Sequence, residues 1–262
     1  SLRDRKYQAI IYSVAAVGFL EMYIALFPTL QKQAQQMSKL MDAYPDSFFA
    51  AFGIDKSTLT FSSLGPYLGM EQFNFIWPIM AIILAIGFAN YALANEIERG
   101  TIEIMLAQPV SRFQMFFARY LTGLINILIF SAISILAIFP LAAMHGITVQ
   151  AKGVWVIFAL SLLFVWAIYG ISFLGSAIFS DKGKATFLAA GTLILMYVIN
   201  IVAGLEDKLK NLKYFSFFHY YNPTIAMDKA QFVDWAILVF AGVAILSTLV
   251  AALWFSRRDV AV

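Results

Sequence analysis

Six apolar runs, each near the length of a membrane-crossing helix, leave this chain few architectures to choose from; they span 9–27, 73–94, 113–143, 154–179, 185–205 and 235–255. A hydrocarbon core about 30 Å thick needs roughly 20 apolar residues in helical form, and lipid offers no partner for a free backbone N–H or C=O. The expected fold is an all-α membrane protein with six transmembrane helices, built as a single transmembrane domain over 1–262. Composition agrees: 61% of residues are hydrophobic and 13% charged, with a mean hydropathy of +0.80. A soluble domain carries about 25% charged residues. The third run is too long for a simple crossing. It is expected to start outside the bilayer, to keep Leu121 to Phe139 in lipid, and to be disturbed near its far end by Pro140. Trp77, Trp155, Trp235 and Trp254 fall near the ends of runs, where amphipathic rings favour the headgroup layer.

Several chemistries are excluded early. The chain has no cysteine, which removes disulfides, thiolate metal sites and cysteine nucleophiles. Its two histidines, His145 and His219, are far apart at outer ends of runs, where a solvated or hydrogen-bonded role is expected rather than metal binding. A net charge of +3 gives no footprint for nucleic acid and reads better as membrane orientation. Arg3, Arg5 and Lys6 before an apolar run imitate a signal peptide, but no small-residue cleavage site follows. With six crossings, both termini share one side, and every arginine then falls on that side: Arg3, Arg5, Arg99, Arg112, Arg119, Arg257 and Arg258. Both termini are expected to be cytoplasmic in a multi-pass cell-membrane protein.

Two longer outer loops show helical periodicity. Leu30, Ala34, Met37, Leu40, Met41 and Tyr44 recur at three- and four-residue steps before Pro45, and Asp46 starts a shorter helix ending at Gly53. In the second loop Leu205, Leu209 and Leu212 share an α-helical face ahead of Tyr214, Phe215, Phe217, Phe218, Tyr220 and Tyr221. Short helices on the outer membrane surface are expected in both, either shielding the spans or gating a departing substrate.

Between the second and third runs, residues 95–112 gather charges and helix breakers. Gly100 is placed as a helix terminator and Thr101 as the next cap. A short helix should follow with Ile102, Met105 and Leu106 on one face and Glu103 on another, ended by Pro109. Ser111 and Gln114 then form a capping-box pattern for the third span, with Val110 and Met115 as its hydrophobic staple. The order is helix, bend, short helix, bend, helix.

At these residues the chain resembles the ABC-2 family of ATP-binding-cassette transporter permeases, in particular its six-span bacterial and archaeal members. The resemblance rests on Glu96, Glu98, Gly100, Thr101, Glu103, Leu106, Pro109, Ser111 and Arg112, and on Phe217 to Pro223 with Arg257, Arg258 and Asp259 near the end. Arg119 stands where relatives often have lysine. The resemblance implies a prokaryotic permease that pairs with a second copy or a paralogue, amid membrane lipids. It also implies a cytoplasmic coupling helix docking on separate ATPase subunits, which would bind the ATP and Mg. Glu96, Glu98, Arg99 and Glu103 would supply charged contacts, Ile102, Met105 and Leu106 an apolar face, and Gly100 and Thr101 the bend. The chain has no G-x-x-x-x-G-K-[ST] phosphate loop, so it is not expected to be an enzyme or to bind a cofactor directly.

Within the spans, Glu21 is read as the one acid well inside a run, with Gly18 and Ala25 on its face. It is either a substrate or ion contact, or a carboxylate reaching to headgroups or a loop lysine. Asn126, with Ser131 and Ser134, either lines a route or bonds to neighbouring helices. Ser172, Gly175 and Ser176 opposite Ala185 and Ala189 suggest close helix packing. The expected function is the permease subunit of an exporter driven by a separate ATPase; the alternative is an ATP-independent secondary carrier or channel, whose inverted repeats and midplane charges are not evident.

Overall fold

The structure, a computed structural model, describes residues 2–33, 44, 45, 48, 63–102 and 111–258. Among them every regular element is a helix, and six helical segments are long and apolar enough to cross a membrane. Span one is α1 (Leu2–Lys32). Span two comprises α2 (Leu64–Glu71), a π-helical turn (Gln72–Ile76) and α3 (Trp77–Ala92), and is followed by the short α4 (Ala94–Glu98). Span three is α5 (Arg112–Leu136) with α6 (Ile138–Met144), span four α7 (Ala151–Ile178) and span five α8 (Lys182–Leu205). A 3-10 helix (Asp207–Phe215), α9 (Phe217–Tyr220) and α10 (Pro223–Lys229) lead to span six, α11 (Ala236–Arg257).

Span four is the axis of the bundle, because its small residues admit neighbours from several sides. A Cβ on Gly170 would lie 2.4 Å from Ser247 Oγ and 3.1 Å from Ala244 O of span six. On Gly175 it would lie 3.2 Å from Leu188 Cδ2 and 3.4 Å from Ala185 O of span five. The small residues expected to allow close approach therefore do so. Aromatic rings fill the remainder: Phe116, Tyr120, Tyr169 and Phe173 are buried, with Phe116 and Phe173 centroids 5.0 Å apart edge to face. Their polar ends are satisfied inside the bundle. Tyr169 donates to Tyr120 O at 3.0 Å, and Trp166 Nε1 donates to Tyr120 Oη at 2.8 Å.

The structure moves several boundaries. Span two begins at Leu64, nine residues ahead of the expected Phe73. Gly65, Pro66 and Gly69 disguised this stretch, but the glycines serve a helix crossing: a Cβ on Gly69 would come within 2.9 Å of Thr224 Cα in α10. Glu71 consequently lies inside a span, which corrects the reading of Glu21 as the one intramembrane acid. The π-turn precedes Pro78, which has no N–H to continue an α-helical ladder. Pro140 breaks span three three residues upstream, at Ala137, consistent with its ring crowding the carbonyl of Leu136.

The two longer loops differ too. Leu30 belongs to α1, which runs through Pro28 to Lys32. Ala34, Met37, Leu40, Met41, Asp46, Phe49, Phe52 and Gly53 lie outside the described residues. The second loop winds as a 3-10 helix, so the face it aligns is Leu209, Leu212 and Phe215, at steps of three; Leu205 closes α8 instead. Sequence spacing of 205, 209 and 212 suited an α-helix, but Glu206 is extended at φ −124 and ψ 111 and breaks the phase.

Candidate functional site: the elbow after span two

The second span's helix does not run on to Gly100. It stops at Ala92, where Leu93 leaves helical geometry at φ −129 and ψ −63, and Ala94 N–H turns to Ser176 Oγ of span four at 2.9 Å. A side chain of the neighbouring helix thus takes a backbone donor that α3 would otherwise use, and a separate single-turn helix, α4, begins. Ser176 is fully buried. Ser176→Ala should leave the Ala94 N–H without a partner and cost about 1–3 kcal/mol, read as a lowered unfolding temperature in detergent.

Gly100 then closes α4. Its φ is +69, and its N–H donates to Ile97 O at 3.0 Å. No atom of the described residues lies within 4 Å of where its Cβ would be, and the positive φ is itself a conformational demand for glycine. The helix that Thr101 was expected to cap lies outside the described residues; the Thr101 hydroxyl donates back to Glu96, at the backbone O over 3.2 Å and also at Oε2. Glu96 Oε1 lies 4.0 Å from Arg119 Nη1 of span three. The bend is therefore tied back onto the bundle by Glu96.

The residues expected to meet a partner fall into four groups. Arg99 is exposed. Glu96 and Glu98 are engaged within the chain, Glu98 Oε2 accepting from Lys182 N–H at 3.1 Å across to span five. Ile102, expected on an apolar face offered outward, is 1% exposed and belongs to the chain's own core together with Ile97. It anchors the elbow because its isoleucine side chain finds apolar neighbours there. Glu103, Met105 and Leu106 lie outside the described residues. Past them the capping box is formed as read: Gln114 N–H donates to Ser111 Oγ at 3.2 Å and Ser111 N–H to Gln114 Oε1 at 3.0 Å, with Met115 buried.

Sequence reasoning missed the elbow's long-range ties. Asn90 Nδ2 donates to Thr186 Oγ1 at 2.6 Å, and Arg258 Nη1 donates to Ala177 O at 2.8 Å, with Nη2 also on Ser180 Oγ. Arg112 Nη1 in turn donates to Arg258 O. Partial burial lowers the Arg258 guanidinium from its ordinary value, yet both its bonds are ones that a charged donor makes well. The elbow, the turn between spans four and five, and the carboxyl end thus share one end of the bundle. Only Asp181, whose carboxylate accepts from Lys184 N–H at 2.7 Å, carried a local signal, that of an N-cap.

The embedded candidates resolve differently. Glu21 Oε1 sits 2.7 Å from His145 Nε2, so the carboxylate joins span one to the carboxyl end of span three rather than reaching a loop lysine. Gly18 and Ala25 are exposed, and no packed neighbour meets Gly18. Asn126 donates to Thr122 O of its own helix at 2.7 Å and lines a small cleft with Tyr91 and Arg119. Ser134 is the residue that bridges helices, accepting from Trp77 Nε1 at 2.8 Å. His219 lies between the rings of Tyr214 and Tyr220, where burial and then the nearby Lys213 charge lower its pKa.

Six apolar helices long enough to cross a membrane, with a polar elbow after the second, mark a multi-pass membrane protein. A family model described as "ABC-2 family transporter protein" matches residues 1–260, and the chain belongs to that family. It is a transmembrane permease of the ABC transporter kind, distinct from the ATPase itself. No curated protein matches the chain.

Proposed function

We propose that the chain is the membrane subunit of an ATP-driven exporter and that residues 100–110 are its docking point for a separate ATPase. The observation that carries this reading is the elbow: an isolated turn of helix, closed by a left-handed Gly100, is pinned by Glu96 and Ile102 at the end of the bundle that also holds the carboxyl end. A short loop that is only solvated has no need of such anchoring. Membership of the ABC-2 family adds the expectation of ATPase partners that bind ATP and Mg. The elbow and the carboxyl end lie together, and the arginines concentrate there, which supports a cytoplasmic position for that end and for both termini.

A second permease, identical or paralogous, completes the proposed assembly. Spans one and five support it, because their most apolar windows are only 28% and 22% buried within the chain, against 56% for span four. Tagged chain purified in mild detergent from its native membrane tests the reading. A co-purifying protein with a phosphate-loop motif and nucleotide-stimulated hydrolysis is the expected result. Recovery of an intact, transport-active chain with no nucleotide-binding partner would establish a secondary carrier instead.

A further inference from the structure

We infer that Ser176, Thr186 and Asn90 are positioning residues that carry movement of the elbow into spans four and five. This deepens the proposed ATP-coupled reading and rests on it.

Three contacts run from the end of span two and the elbow to the hairpin formed by spans four and five. Asn90 Nδ2 to Thr186 Oγ1 spans 2.6 Å, Ala94 N–H to Ser176 Oγ 2.9 Å, and Lys182 N–H to Glu98 Oε2 3.1 Å. On the span-two side they involve residues 90, 94 and 98, four apart in sequence. Asn90 and Ser176 are buried, so water offers no ready replacement if the bonds part. The third contact places a carboxylate at the N-terminus of α8, where the helix dipole and free N–H groups favour it. Thr186 Oγ1 also donates to Lys182 O at 2.9 Å, which orients its lone pairs toward the Asn90 amide.

The hairpin is gripped on its other side as well. Arg258 holds Ala177 O and Ser180 Oγ, and Arg112, first residue of span three, holds Arg258 O. Displacing the elbow alone would break the Ala94–Ser176 and Glu98–Lys182 bonds at once, whereas displacing it with the hairpin breaks neither. The lower-cost motion therefore moves the ends of spans two, four and five together. Span one is tied elsewhere: Ala16 O accepts from Gln72 Nε2 at 3.2 Å and Glu21 meets His145.

Hydrogen–deuterium exchange on the chain with its co-purified ATPase, nucleotide-free and then trapped with ATP and vanadate, tests this directly. Amides of 94–102 and 176–190 should change protection together in the unaltered complex. In Ser176→Ala/Thr186→Val, which leaves the elbow's exposed Arg99 untouched, the change should stay in 94–102 and be lost from 176–190. Thr186→Val alone, should the double variant not fold, should reduce the response of 176–190. A nucleotide response in 176–190 that survives the substitutions, or no response there in the unaltered complex, overturns the inference. Failure of any ATPase to co-purify counts against the function reading instead.

Discussion

Gly170→Leu is expected to remove the folded protein from detergent extracts. The hydrogen in place of a side chain at this position lets spans four and six approach until a Cβ would sit 2.4 Å from Ser247 Oγ, 3.1 Å from Ala244 O and 3.2 Å from Ala244 Cα. Two of those atoms are backbone of a long helix and have no rotamer to change. Ser247 is itself held, donating to Val243 O at 2.6 Å. In lipid, helices gain nothing from hiding apolar surface from water, so close van der Waals packing of this kind supplies much of the association energy. Forcing the two helices apart should cost about 3 kcal/mol or more, since overpacking a filled core costs about 1–3 kcal/mol even where side chains can yield. Size-exclusion of a fluorescent fusion after a heating series checks it. Gly18→Leu is the control: it meets open space and should keep the monodisperse peak, whereas an equally stable Gly170→Leu would show that the crossing is looser than described.

The second large effect is functional. Glu98→Lys with Glu103→Lys should abolish retention of the ATPase or its stimulation by the permease. Glu98 accepts from Lys182 N–H, and its carboxylate favours the positive end of α8. A lysine there replaces an acceptor with a like charge, so the elbow loses a tether as well as an exposed anion. Glu103 acts, on the proposed reading, at the docking face. Measuring ATPase recovered per permease, and hydrolysis in proteoliposomes, separates the two losses. Glu98→Lys alone should weaken stimulation, and the double variant should also weaken recovery. Unchanged recovery and hydrolysis in the double variant would remove both carboxylates from the coupling role.

Much of the architecture could be read from the chain because lipid imposes a simple rule. Six runs near 20 residues mapped onto six spans, and the Ser111 and Gln114 pair specified the capping box that forms. Gly100 was legible for a similar reason: a left-handed terminator is a local demand that glycine meets. What escaped was set by contacts distant in sequence. Leu93, not Gly100, ends the span-two helix, because Ser176, 82 positions beyond Ala94, takes its N–H. The second apolar run starts at Phe73, and Leu64 to Glu71 fall outside it; Gly65 and Gly69 there are set by the approach of α10. Glu21 could be recognised as costly in lipid, but its partner His145 lies 124 positions away, and periodicity carries no information about such a pairing.

The same distinction applies to the elbow. Spacing placed Ile102 with Met105 and Leu106 on one face, and the fold then directed that first residue inward, at 1% exposure. Among the described residues of the elbow, Arg99 is left exposed. Anchoring on one side and presentation on the other is what a part that transmits force requires, since a freely hinged segment would move without moving its neighbours.

The chain's lack of cysteine makes the decisive measurement direct. A single cysteine at Met105, carrying a photoactivatable cross-linker, is introduced into the protein in its native membrane. The expected product is a covalent adduct with an ATP-hydrolysing subunit, formed only when the cytoplasmic face is accessible. Labelling of that cysteine by an impermeant reagent from outside intact cells, or adducts confined to lipid throughout turnover, would contradict the proposal that this elbow is where the permease receives its energy.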